Sequence, residues 1–289
     1  MRGKFAAVLR LTRIEHSLML AIAVVAAELI AGGLPGPYRF LLALVPPILV
    51  SMAAFAINDY YDVETDRLNK KRRPLVEGAL SMTEARNIAV ILFVVGVATG
   101  TLVNWYAFSI ALAFAVLAWL YSYRLKEMLL VGNVYIAFTM VIPFIYGDFV
   151  VSRVIPANIV LVSFVIFLSG LAREVHGMMR DVKGDIKARH ARSLVGKIGA
   201  IRSAAIALVL YVEAIAISLL MFFLFLPFAY NLVYIAPIVV SDCALLYVAI
   251  GHMYRRDARF YSLSRSVSLG AMSLALIAYL AAAILYIGV

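Results

Sequence analysis

Nine windows of predominantly apolar residues, each about 20 long, run through this chain near 16–34, 39–59, 86–104, 105–123, 129–150, 155–175, 202–226, 231–250 and 266–288. A helix of that length crosses roughly 30 Å of hydrocarbon. Within lipid every backbone amide must find its hydrogen bond inside the protein, which leaves only helices or a closed barrel. The short alternating-polarity segments of a membrane barrel are missing. The sequence therefore predicts an all-α, polytopic membrane bundle of nine transmembrane helices with capping loops on one side. Composition agrees, with 65% hydrophobic and 15% charged residues against roughly 25% charged in soluble domains.

Basic residues set the expected orientation, because cytoplasmic loops carry the excess of Lys and Arg. With the N-terminus inside, 24 of the 26 basic residues fall on the cytoplasmic side: four before the first window, six in 67–86, two in 124–126, eight in 173–202 and four in 255–265. Only Arg39 and Arg153 fall outside, and the nine-span count puts the C-terminus outside as well. The net charge of +10 is thus explained by membrane topology, and a nucleic-acid partner need not be invoked.

Residues 4–15 mix basic and apolar positions and are too short to span, so an interfacial helix is expected there. The single cysteine, Cys243, falls inside the eighth window and reads as a small buried apolar residue. No Ser/Gly linker divides the chain, so residues 1–289 read as one domain.

Polar residues interrupt this pattern in two places. Residues 58–66, Asn-Asp-Tyr-Tyr-Asp-Val-Glu-Thr-Asp, end an apolar run, and at about 100° per residue Asn58, Asp59, Asp62 and Asp66 share one arc of a helix. Like charges so placed repel unless a cation joins them. The segment lacks the glycine and the terminal glutamate of a calcium-binding EF-hand loop, and oxygen ligands without His or Cys suit a hard ion such as Mg²⁺. A second pair, Asp181 and Asp185, ends another apolar run, with Glu174 on the same helical face. Since Mg²⁺ is usually held by one or two carboxylates plus substrate phosphate oxygens, two such clusters suggest a diphosphate between them. Basic residues follow each cluster: Lys70, Lys71, Arg72 and Arg73 after the first; Arg180, Lys187, Arg189 and Arg192 around the second. Lys126 lies at the inner end of the fourth window beside Tyr121 and Tyr123, and these rings, with Tyr60 and Tyr61, are of the type that stabilises a cation through its π-face. His16, His176, His190 and His252 have no metal-ligand spacing and receive no role.

Asn58 to Asp66 fits the NDxxDxxxD motif of the UbiA superfamily of intramembrane prenyltransferases, and the chain resembles that family along its whole length. Arg73-Pro74 resembles the family's RP element, and Asp181-Val-Lys-Gly-Asp185, with Arg173-Glu174 upstream, resembles its DxxxD motif. The family's Tyr/Lys element is usually YxxxK, whereas Tyr121 and Tyr123 precede Lys126 by five and three residues. The resemblance implies that Asn58, Asp62, Asp66, Asp181 and Asp185 bind Mg²⁺, with Asp62, Asp66, Asp181, Asp185 and Lys126 carrying catalysis. It also assigns Asn58, Asp59, Arg72, Arg73, Tyr121, Tyr123, Arg13 and Arg180 to substrate binding. The implied reaction ionises a prenyl diphosphate, and a lipophilic acceptor captures the cation.

Acceptor choice divides the family. Gly132-Asn133-Val-Tyr-Ile-Ala-Phe, Pro143-Phe-Ile-Tyr-Gly147 and Arg173-Glu174 resemble the archaeal members that prenylate geranylgeranylglyceryl phosphate, whereas Arg13-Ile-Glu-His-Ser-Leu resembles members acting on aromatic acids such as 4-hydroxybenzoate. A transporter is the reading from another class, with Glu28, Glu213 and Asp242 inside apolar windows and expected to face protein or water. Transporter sites lie near mid-membrane, yet the densest polar chemistry here sits at window ends, which favours the enzyme.

Overall fold

A computed structural model describes residues 2–128, 130–189, 194–255 and 257–288, the side chains of residues 2 and 181–189 excepted. Every regular element among the described residues is helical. In order these are α1 (Arg2–Thr12), α2 (Ile14–Ile30), α3 (Pro37–Leu68), α4 (Met82–Val103), α5 (Trp105–Tyr123), α6 (Val131–Val151), α7 (Ala157–Arg189), α8 (Leu194–Ile198), α9 (Ala200–Leu224), α10 (Leu232–Tyr254) and α11 (Ala258–Ile287), with a 3₁₀ turn at Leu125–Glu127.

Eight of these helices are long and apolar enough to cross a membrane, so the protein is a multi-pass helical membrane protein. The ninth expected span coincides with α2, whose 17 residues extend about 26 Å at 1.5 Å per residue, shorter than the roughly 30 Å of a hydrocarbon core.

Two compact units divide the described chain, one built from residues up to 24 and 34–128, the other from 25–33 and from 130 onward, so that α2 is shared. In the first unit α3 packs against α1, α4 and α5. Its core is dominated by small side chains: Ala53 and Ala56 on α3, Ala85 and Ala89 on α4, Ala111, Ala115 and Ala118 on α5. Lipid offers no hydrophobic drive for helix association, so close backbone approach and van der Waals contact must hold these helices together. Gly96 on α4 shows the closeness, because a Cβ there would stand 3.0 Å from Leu49 Cβ and 3.2 Å from the Val50 amide.

Helix ends follow from polar caps. Ser81 and Glu84 form a reciprocal capping box at the start of α4. Asn104 both ends α4 and caps α5, its Oδ1 accepting from the Ala107 amide at 2.8 Å. In the second unit α7 packs against α6, α9 and α11, and α10 lies against α9 and α11. Its core joins Ala172, Val175 and Met179 to Ala204, Ala207 and Tyr211.

Cys243 is exposed on α10 rather than buried. Glu213 on α9 is exposed too, while Glu28 is fully buried and Asp242 accepts from Ser218 Oγ at 3.1 Å.

Candidate active site

Both acidic motifs lie on helices that outrun their apolar windows: α3 continues to Leu68 and α7 to Arg189. The α3 end is built by its own sequence. Lys70 takes a left-handed backbone, φ 51°. The Lys70 amide then donates to the Arg67 carbonyl at 3.1 Å and the Lys71 amide to the Asp66 carbonyl at 2.9 Å, the paired bonds of a Schellman cap. This reversal folds Lys71 back on its own helix, where its Nζ lies 2.8 Å from Asp66 Oδ1.

Around that end each of the three aspartates of the first motif faces a cation. Asp59, 2% exposed, accepts from Arg13 Nη2 at 2.7 Å. Arg73 Nε sits 3.9 Å from Asp59 Oδ2 and 3.7 Å from Asp66 Oδ2. Lys126 Nζ donates to Asp62 Oδ1 at 2.8 Å, bringing together residues 64 apart in sequence. Burial lowers the Arg13 guanidinium from its ordinary value, and the charge of Asp59 opposes that shift. The guanidinium also lies 4.7 Å from the centre of the Phe55 ring.

Aromatic rings surround the Lys126–Asp62 pair. Tyr61 lies 5.9 Å from the Lys126 ammonium and packs edge-on against Tyr60, Trp119 and Tyr123. Tyr123 thereby joins the cluster expected of it. Tyr121 and Asn58 are half-buried.

Not every expected residue faces this cluster. Asp59 shares the helical arc of Asp62 and Asp66, yet it is buried in an ion pair with Arg13 that ties the α1–α2 junction to α3. Arg72 is exposed, and its carbonyl accepts from Arg10 Nη2 at 3.3 Å. Arg180 belongs to the second unit and lines a cavity there. Asp181 and Asp185 lie on the backbone of α7, with side chains outside the described residues. In the same unit Glu174 accepts from Asn133 at 3.3 Å, connecting two segments singled out in the sequence.

Sequence reasoning missed Trp119 and the buried histidines. His176 and His252 stack with ring centres 3.8 Å apart. The i, i+3 and i+4 patterns of single helices carry no trace of a pairing between α7 and α10.

Among the described residues no three His, Cys, Asp or Glu side chains converge as a metal cage. The donor set nonetheless fits a hard cation. Asp62 and Asp66 are carboxylates one helical turn apart, with lysines now beside them, and an ion that completes its shell with substrate phosphate oxygens needs only such a partial set.

The family model of UbiA prenyltransferases matches residues 19–260. The chain belongs to the UbiA prenyltransferase family. A digeranylgeranylglyceryl phosphate synthase of Archaeoglobus fulgidus is 38% identical over 278 residues, 94% of each chain. Among solved structures, one described as giving structural and mechanistic insights into digeranylgeranylglyceryl phosphate synthase in membranes superposes with TM-score 0.80 at 26% identity, covering 98% of this chain and 99% of that one. A UbiA homologue from Archaeoglobus fulgidus, bound to GPP and Mg²⁺, has TM-score 0.71 at 20% identity, covering 98% of this chain and all of the other. UbiA membership makes this chain a prenyltransferase by family.

Proposed function

We propose that this protein transfers a geranylgeranyl group from geranylgeranyl diphosphate to the free hydroxyl of geranylgeranylglyceryl phosphate, a step in archaeal ether-lipid synthesis. The observation that carries the reading is the 38% identity, over 94% of both chains, to a digeranylgeranylglyceryl phosphate synthase. Residues 1–289 act as one prenyltransferase domain in this reading.

The allylic C–O bond breaks with its electron pair remaining on the diphosphate, the acceptor hydroxyl oxygen bonds to the allylic carbon, and the hydroxyl proton is released. Negative charge grows on the leaving oxygens, so fixed cations and donors aimed there lower the barrier. Lys126, Lys71 and Arg73 are the cations available around Asp62 and Asp66. Tyr61 and Tyr123 offer ring faces to the allylic cation, and apolar helices keep water from capturing it. Asn58, Asp62 and Asp66, with Asp181 and Asp185, would hold Mg²⁺, whose charge on the diphosphate supplies Lewis acidity. Asp59 supports the site through Arg13.

The loops with 24 of the 26 basic residues lie on the cytoplasmic face in this reading, which places donor and acceptor binding at that face.

Purified protein with Mg²⁺ and geranylgeranyl diphosphate, offered geranylgeranylglyceryl phosphate or 4-hydroxybenzoate separately, tests the acceptor. The expected mass-spectrometric product is digeranylgeranylglyceryl phosphate. Product from the aromatic acid alone would overturn the assignment.

A further inference from the structure

Within the second unit a cavity of about 220 Å³ opens between the latter half of α7 and the start of α11. Arg173, Glu174, His176, Gly177 and Arg180 line it from α7, and Arg265 lines it from α11. Positions 173, 177 and 180 follow the i, i+4, i+7 spacing of one helical face, so both arginines flank a glycine on that face. A Cβ on Gly177 would meet nothing within 4 Å. The glycine therefore faces open space.

Among the described residues three arginines and one carboxylate, Glu174, line it, and Glu174 accepts from Asn133. Arg173 Nε is buried with no hydrogen-bond partner. His176 is 6% exposed, and neither of its ring nitrogens has a hydrogen-bond partner. Such unsatisfied buried groups are costly, and an anion seated in the cavity would accept from the Arg173 Nε–H and from the one N–H of a neutral His176 ring. Guanidinium groups favour phosphate in particular, through paired, charge-assisted hydrogen bonds.

The size of the cavity limits how much of a ligand it takes. A volume of about 220 Å³ falls below the roughly 300–1,000 Å³ of sites that enclose whole drug-sized ligands, so it admits a headgroup and leaves a prenyl chain outside.

We infer that this cavity receives the phosphate monoester of the acceptor lipid, with Arg173, Arg180 and Arg265 clamping the headgroup. Lys126, held by Asp62, then serves the donor. The assignment rests on the acceptor being a glycerophosphate lipid.

Two measurements test it. The first is binding to the full-length protein in detergent, without donor or Mg²⁺, followed by thermal shift with geranylgeranylglyceryl phosphate, with geranylgeranylglycerol and with inorganic phosphate. Only the phosphorylated lipid should stabilise strongly. Arg265→Gln at the exposed rim, and Gly177→Leu, which keeps every arginine but fills the space, should each weaken that binding about tenfold or more. The second is steady-state kinetics, in which Arg265→Gln should raise KM for the acceptor about tenfold and leave KM for the donor unchanged. Phosphate-dependent binding that survives both substitutions overturns the inference, as does equal stabilisation by inorganic phosphate. Turnover with an unchanged acceptor KM in both variants also overturns it while leaving the proposed reaction intact. Binding that depends on these residues but yields no product upholds the cavity and rejects the reaction.

Discussion

Lys126 and Asp62 meet at 2.8 Å, with side chains only 8% and 14% exposed. A lysine just past the end of α5 thus neutralises a carboxylate of the α3 motif in a partly dry setting, where removal of one partner leaves the other charge uncompensated. Lys126→Met should lower turnover about tenfold or more with any acceptor, and Asp62→Asn should do likewise. In thermal unfolding the double variant should be less destabilised than the sum of the single ones, by about 1–3 kcal/mol. Additive losses would mean that the pair is not coupled in the folded protein.

Asp181→Asn is expected to cut turnover by at least about tenfold while leaving the melting midpoint close to that of the unaltered protein, since one metal ligand can be worth several kcal/mol in the transition state. Raising Mg²⁺ should recover part of the loss. Wild-type turnover at every Mg²⁺ concentration would remove Asp181 from the site.

Arg13→Met leaves the buried Asp59 carboxylate with only the longer 3.9 Å contact to Arg73. Destabilisation of about 3 kcal/mol is expected, and adding Asp59→Asn should restore much of it. Differential scanning fluorimetry in detergent would show this, and a single variant that melts like the parent would contradict the structural role of that ion pair.

Lys70→Gly should leave stability unchanged or raise it by up to about 1 kcal/mol, because glycine enters the left-handed region without the penalty a lysine bears. A marked loss of stability would place a further contact on the Lys70 side chain.

Topology can be checked directly. Tags at the N-terminus and near residue 190 should be reached from the cytoplasmic side, and one at the C-terminus from the other. Both termini on one side would mean that α2 does not cross.

Apolar windows and the spacing of Asp62 and Asp66 made the helical bundle and the first motif legible in the sequence, since both are local patterns with a period the chain itself displays. Position and resemblance singled out Lys126, but its contact with Asp62, 64 residues away, was not legible in the sequence. Partnerships between distant helices, such as Arg13 with Asp59 or His176 with His252, leave no local signature, because any buried cation or ring satisfies the same composition. The exposure of Cys243 was missed for a related reason: in a helix that is apolar all round, periodicity does not say which side faces the protein.

Asn104 ends one helix and begins the next, and a Cβ on nearby Gly100 would stand 2.9 Å from Phe108 Cα. That hairpin has no slack. An inserted residue there cannot be absorbed by a loop and must instead rotate one helix against the other, so α4 and α5 behave mechanically as a single folded rod whose register is set at its hinge.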